Sequence, residues 1–100
     1  MRQFDVCPTR RASLVVILQS DFRDEDGASR IVVPLVREND FERKTRGIDI
    51  PVVIDGTAYR ARMNQLGAVR VSLIDPVPIA NVADQRDAFI SAINLIFLGF

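Results

Sequence analysis

Asp55-Gly56 lies between two short runs whose apolar residues alternate, and this constrains the fold more than any other stretch of the chain. An Asp-Gly pair favours the two-residue turn whose twist matches that of paired strands, so residues 50–54 and 57–63 are predicted to form a β-hairpin. In the second run Tyr59, Ala61 and Met63 fall on one face and Ala58, Arg60 and Arg62 on the other. Such alternation belongs to a sheet with one wet face.

The rest of the chain reads in the same idiom. Residues 3–7 form a short strand stopped by Pro8. Residues 13–19, with Leu14-Val15-Val16-Ile17-Leu18, form a β-branched run buried on both faces or at an interface. Asp24-Glu25-Asp26-Gly27 is a turn signal within 20–29, so the next run, 30–36, pairs back on the previous one. Pro34 cannot donate to a ladder, which predicts an edge or a bulge there. Leu66-Gly67 turns the chain, and 69–75 alternates again, with Val69, Val71 and Leu73 on one face, until Pro76 and Pro78 end it.

Asp84 is the expected N-cap of a C-terminal helix, with Asp87 near the positive end of its dipole. Phe89, Ile93, Ile96 and Phe97 keep helical spacing along a stripe expected to face inward. Ala88, Ala92 and Leu95 widen it, and Gly99 is the expected stop. The sum is one domain over residues 1–100: a small, mainly antiparallel β barrel with one C-terminal helix.

Composition narrows the chemistry. There is no His, which excludes His-based acid–base catalysis and His-containing metal sites. Cys7 is alone, so neither an internal disulfide nor a Cys-rich zinc site can form. Asp24-Glu25-Asp26 lacks calcium-loop spacing and reads as a solvated turn. No cofactor or metal is expected. With 13 basic and 13 acidic residues the net charge is zero, against the basic excess of a nucleic-acid binder. All the basic residues but Lys44 are Arg. The N-terminus has no apolar signal region and no run reaches membrane-spanning length, so a soluble, cytoplasmic protein is expected.

Chain ends are normally polar and frayed. This one stays apolar from Ala92 through Phe100, interrupted only by Asn94 and Gly99. Such a tail either completes the protein's own core or presents a contact surface. The terminal carboxylate has to stay hydrated or find a donor, which keeps the end near the surface.

Taken in order, Gln3-Phe4, Gln19-Ser20-Asp21, Ile31-Val32-Val33-Pro34-Leu35, Pro51-Val52-Val53, Val71-Ser72-Leu73-Ile74 and Ala92-Ile93-Asn94-Leu95 with Phe97 and Gly99 resemble the CcdB-type toxins from end to end. That resemblance implies an SH3-like barrel with a C-terminal helix, assembled as a homodimer. It implies the toxic half of a plasmid or chromosomal toxin–antitoxin pair, acting by binding and not by catalysis. Such a toxin binds the A subunit of DNA gyrase and traps the cleaved gyrase–DNA complex. A CcdA-like antitoxin with a disordered C-terminal segment removes it and, with it, represses the operon, so operator DNA is met only through the antitoxin. The gyrase-contacting positions carry over as Gln3, Phe4, Ser20, Phe22, Asn94, Leu98, Gly99 and Phe100. Better-known members end in Trp-Gly-Ile, whereas this chain ends in Leu98-Gly99-Phe100. Leu keeps apolar area but loses the flat ring and its N–H donor, and Phe100 returns a ring two positions later.

For the antitoxin, the charged loop 37–47 and the strand edge at 8–11 offer accessible Arg beside apolar Phe41, so Arg10, Arg11, Phe41, Arg43 and Arg46 are the expected contacts. Two alternatives stand beside this reading. One is a MazF-like endoribonuclease using Arg10, Arg11 and Asp21 without a metal, which the zero net charge opposes. The other is a protein of the CcdB fold that has lost gyrase binding, its tail merely completing a core or a dimer.

Overall fold

The structure is a computed structural model that describes residues 1–20, 27–40 and 48–99. The expected contacts Phe22, Phe41, Arg43, Arg46 and Phe100 lie outside the described residues. The strands are β1 (Asp5–Pro8), β2 (Leu14–Ile17), β3 (Ser29–Arg37), β4 (Asp49–Ile54), β5 (Thr57–Arg62), β6 (Gly67–Arg70) and β7 (Ala80–Asn81), followed by the helix α1 (Arg86–Leu98). They form one curled sheet in the order β4-β5-β3-β2-β1-β7, with β6 also paired to β3. Every strand pairing is antiparallel. The architecture is thus mainly β, a half-barrel closed by one C-terminal helix.

The hairpin forms where the sequence places it. Asp55 and Gly56 have φ of 49° and 79°, the two positive values that a mirror-image turn requires. They set the register Val53↔Ala58 and Ile54↔Thr57. As the alternation predicts, Ala61 and Met63 are fully buried and Ala58 is exposed.

Residues 14–18 are buried on both faces of the sheet. Val16 and Leu18 join Phe4, Val6, Val33, Leu35, Ile50, Val52 and Met63 in the larger cluster, beneath Phe89 and Ala92 of α1. Val15 and Ile17 point the other way, to Cys7, Val32 and Ile74. Burying a Val, Ile or Phe side chain stabilises by about 1.5–3 kcal/mol. Burial also pushes the Cys7 thiol pKa up, and the nearby Asp5 and Asp75 carboxylates add to that rise.

Four expectations need correction. Pro34 is neither on an edge strand nor at a break in β3; it sits opposite Val15 of β2. On the other flank β6 reaches Val32 and β5 begins at Leu35, so Pro34 falls in the gap between them, where a missing donor breaks no ladder. The run at 69–75 stays extended only to Arg70, then tightens into a 3₁₀ turn at Val71–Leu73. Asp84 lies inside a 3₁₀ turn, Ala83–Gln85, and the residue preceding α1 is Gln85, whose side chain makes no cap bond. Instead Gln85 Nε2 donates to Pro51 O at 2.7 Å, tying the start of the helix to β4. Finally, Phe97 does not face inward: it is 65% exposed. The inward stripe of α1 is Phe89 and Ala92, with Ile93 and Ile96 partly buried.

Candidate binding surface

The last two turns of α1 carry an uncharged, apolar surface. From Ala88 to Phe100 no side chain bears a charge. Leu95, Phe97 and Leu98 are exposed, the last two by 65% and 60%, and Asn94 is exposed beside them. Gly99 ends the helix in the left-handed region, φ 80°, with its N–H donating to Asn94 O at 3.1 Å and Leu95 O at 3.2 Å. Glycine suits this cap because a side chain in that conformation is strained. The cap fixes the direction in which the chain leaves the helix.

At the start of the chain, Gln3 is tied to the end of the β2 segment: Gln3 Nε2 donates to Leu18 O at 2.9 Å. The carbonyl of Gln3 accepts from Asn81 Nδ2 at 3.2 Å, and the same nitrogen donates to Asp5 Oδ1 at 3.0 Å. Asp5, 6% exposed, also accepts from Arg2 N at 2.8 Å. A concavity of about 440 Å³ opens here, rimmed by Arg2, Gln3, Asn81 and Arg86.

Phe4 behaves differently from its neighbours. Its ring is only 5% exposed and lies 5.6 Å from that of Phe89, tilted by 48°. Its backbone is left-handed, φ 68°, a conformation that costs an L-residue about 1–2 kcal/mol. Two main-chain bonds hold it there, Phe4 N to Ile17 O at 2.6 Å and Val82 N to Phe4 O at 2.9 Å. Phe4 therefore supports this corner from within while Gln3 and Ser20 meet solvent.

The two groups do not form one patch. Phe4 packs near the beginning of α1, and at 1.5 Å per residue Leu98 lies about 14 Å further along the axis from Phe89. Arg10 and Arg11 lie elsewhere again, exposed on the turn between β1 and β2, where Arg10 N donates to Leu73 O at 3.0 Å. Sequence reasoning missed Phe97 and Leu95 as exposed members of the helix tip. Helical spacing gives the angle of a side chain about the axis and cannot say where along it the supporting sheet stops.

Chemically the helix end is an exposed apolar surface without charge. Among the described residues no group of three or more His, Cys, Asp or Glu side chains could hold a metal ion. No described helix is long and apolar enough to cross a membrane. A family model described as CcdB protein matches residues 3–99. No curated protein matches the chain. With nearly the whole length covered, and a curled antiparallel sheet carrying one terminal helix, the chain belongs to the CcdB family, the toxin components of toxin–antitoxin pairs.

Proposed function

We propose that the protein is the gyrase-directed toxin of a type II toxin–antitoxin pair. It acts as a homodimer that binds the gyrase A subunit and holds the cleaved gyrase–DNA complex. The observation that carries this reading is the exposed, charge-free end of α1, where Phe97 and Leu98 face solvent in a chain that belongs to a toxin family. Covering the exposed part of each side chain yields about 1–2 kcal/mol, and a twofold axis doubles it. Phe97 supplies an aromatic ring at the tip, beside Leu98, where better-known members carry Trp. Asn94 and Gly99 complete the patch, and Gln3 with Ser20 forms a second, polar contact area.

The cognate antitoxin removes the toxin from gyrase and joins it in repressing the operon. Its contacts include Arg10 and Arg11, both exposed on the β1–β2 turn.

Expression in a gyrase-sensitive host, with and without the cognate antitoxin, tests this. The expected result is double-strand DNA breaks and death without antitoxin, both suppressed by it, and both lost in Phe97→Ala and Leu98→Asp. Toxicity with intact DNA, or cleavage of RNA by the purified protein, overturns the gyrase assignment.

A further inference from the structure

The hollow of about 440 Å³ beside the start of α1 has a wall whose polar groups are already committed to one another. Asp5 is the only acidic residue among the described ones that line it, and its carboxylate accepts from Arg2 N at 2.8 Å and from Asn81 Nδ2 at 3.0 Å. The same Asn81 nitrogen donates to Gln3 O at 3.2 Å, and Asn81 Oδ1 accepts from Ala83 N at 2.9 Å. Phe4 closes the wall with both its N–H and its carbonyl in main-chain bonds. Two groups stay uncommitted, the guanidinium groups of Arg2 and Arg86. Both residues are exposed, and neither makes a salt bridge among the described residues. The helix then links this hollow to its own tip. Arg86 and Phe97 are separated by three turns and roughly 20°, so they stand on one side of α1 about 16 Å apart. Ile90 and Ile93, both half-buried, lie between them on that side. Asp87 is turned about 100° away from Arg86 around the axis and does not line the hollow.

We propose that Arg2 and Arg86 clamp a carboxylate of the gyrase A subunit, an Asp or Glu side chain that enters this hollow while Phe97 meets the same subunit. This rests on the gyrase-directed reading above and deepens it by naming the chemistry of a second contact. Two guanidinium forks on one hollow are suited to bidentate carboxylate recognition. Because both are exposed in the free chain, they hold a small dissolved anion only weakly. A protein surface that covers the hollow excludes water and strengthens the attraction, which favours a carboxylate carried on a macromolecule. The wall is formed before binding, so only the two Arg side chains have to be ordered. A standard interface covers about 800 Å² on each partner, a patch about 30 Å across, so one partner spans both the ring of Phe97 and the hollow.

The test measures binding of the purified full-length chain to a gyrase A fragment by biolayer interferometry, at low and high salt. Arg2→Glu and Arg86→Glu are each expected to weaken binding about tenfold, in part by slowing association, and Arg86→Lys by less than about threefold. Association is expected to depend less on salt when Arg2→Ala and Arg86→Ala are combined. Arg70→Glu, the same charge change at an exposed residue of β6, is expected to leave binding unchanged, and circular dichroism is expected to be the same for every variant. Among single Asp→Lys and Glu→Lys changes in the gyrase fragment, one is expected to restore binding to Arg86→Glu, and that one identifies the carboxylate. If the wild type binds the fragment and neither Arg2→Glu nor Arg86→Glu loses affinity, the clamp is overturned and the gyrase reading stands. An equal loss in Arg70→Glu also overturns it, since overall charge and not the hollow is then being read. If the two Glu variants lose affinity for a DNA duplex and not for the gyrase fragment, the hollow takes phosphate and the proposal fails. A wild type that never binds the gyrase fragment removes the gyrase reading, and the clamp with it.

Discussion

Truncating Phe4 separates two roles for that residue, support from within and direct contact with gyrase. Its ring is 5% exposed against a fully buried Phe89, so Phe4→Ala removes a core aromatic and leaves a void beside its partner. Such truncations cost about 3–5 kcal/mol. Of this, about 0.5–1.5 kcal/mol belongs to the ring pair and is recovered as coupling in a double-mutant cycle with Phe89. A small domain has about 5–15 kcal/mol in total, so each single variant stays folded only in part of that range, and Phe4→Leu with Phe89→Leu gives a gentler cycle. At about 4–8 °C per kcal/mol, a loss of about 3–5 kcal/mol in Phe4→Ala lowers Tm by about 12–40 °C. Urea and thermal unfolding at one fixed protein concentration measure both quantities, since association would otherwise shift the midpoint. Gyrase affinity of Phe4→Leu is expected to stay near that of the wild type. A stability loss under about 1 kcal/mol in Phe4→Ala, together with lost gyrase binding, would refute the supporting role and make the ring a direct contact.

The other expectations are briefer. Gly99→Ala meets no steric neighbour but forces an L-residue to φ 80°, so it costs about 1 kcal/mol and weakens gyrase binding by misdirecting the tip; a D-alanine introduced there by semisynthesis restores both. Because folding raises the Cys7 thiol pKa, its contribution to stability is complete below the ordinary thiol value and is lost as pH climbs from that value through the folded one. The urea midpoint therefore falls as pH rises past the ordinary thiol value, and Cys7→Ala removes that part of the fall. Phe97→Ala, with the ring already 65% in solvent, costs under about 1 kcal/mol of stability yet abolishes DNA breakage; a large drop in Tm at any protein concentration would place the ring inside the protomer.

Much of the fold was legible because its signals are local. Asp55-Gly56 dictates its own turn, and the alternation in 57–63 assigns inner and outer faces one residue at a time. The β-branched run at 14–18 announced burial on both faces because no polar residue interrupts it. Where the outcome depended on a distant partner, the sequence was silent. Pro34 sits in a central strand because two other strands meet beside it, a fact of topology that no neighbour of Pro34 encodes. Asp84 has the chemistry of a cap, but the chain enters α1 through a 3₁₀ turn that displaces it. Phe97 shares the spacing of the buried stripe and is exposed because of where it falls along the axis. Arg2 and Arg86 share a hollow only through the β1–β7 register, across a sequence separation that periodicity cannot bridge.

The first strand obtains its outer neighbour from the far end of the chain. Ile79 N reaches Val6 O at 2.9 Å, β7 pairs with Asp5 and Val6, and Val82 N closes on Phe4 O. During synthesis, β1 therefore waits until residues 79–82 have been made before that seam can be sewn. A product cut short before Ile79 keeps its central hairpins but leaves β1 bare along one side and Phe4 without a lid. Such a fragment lacks α1 and its exposed tip as well, so the seam along β1 and the apolar tip are lost together.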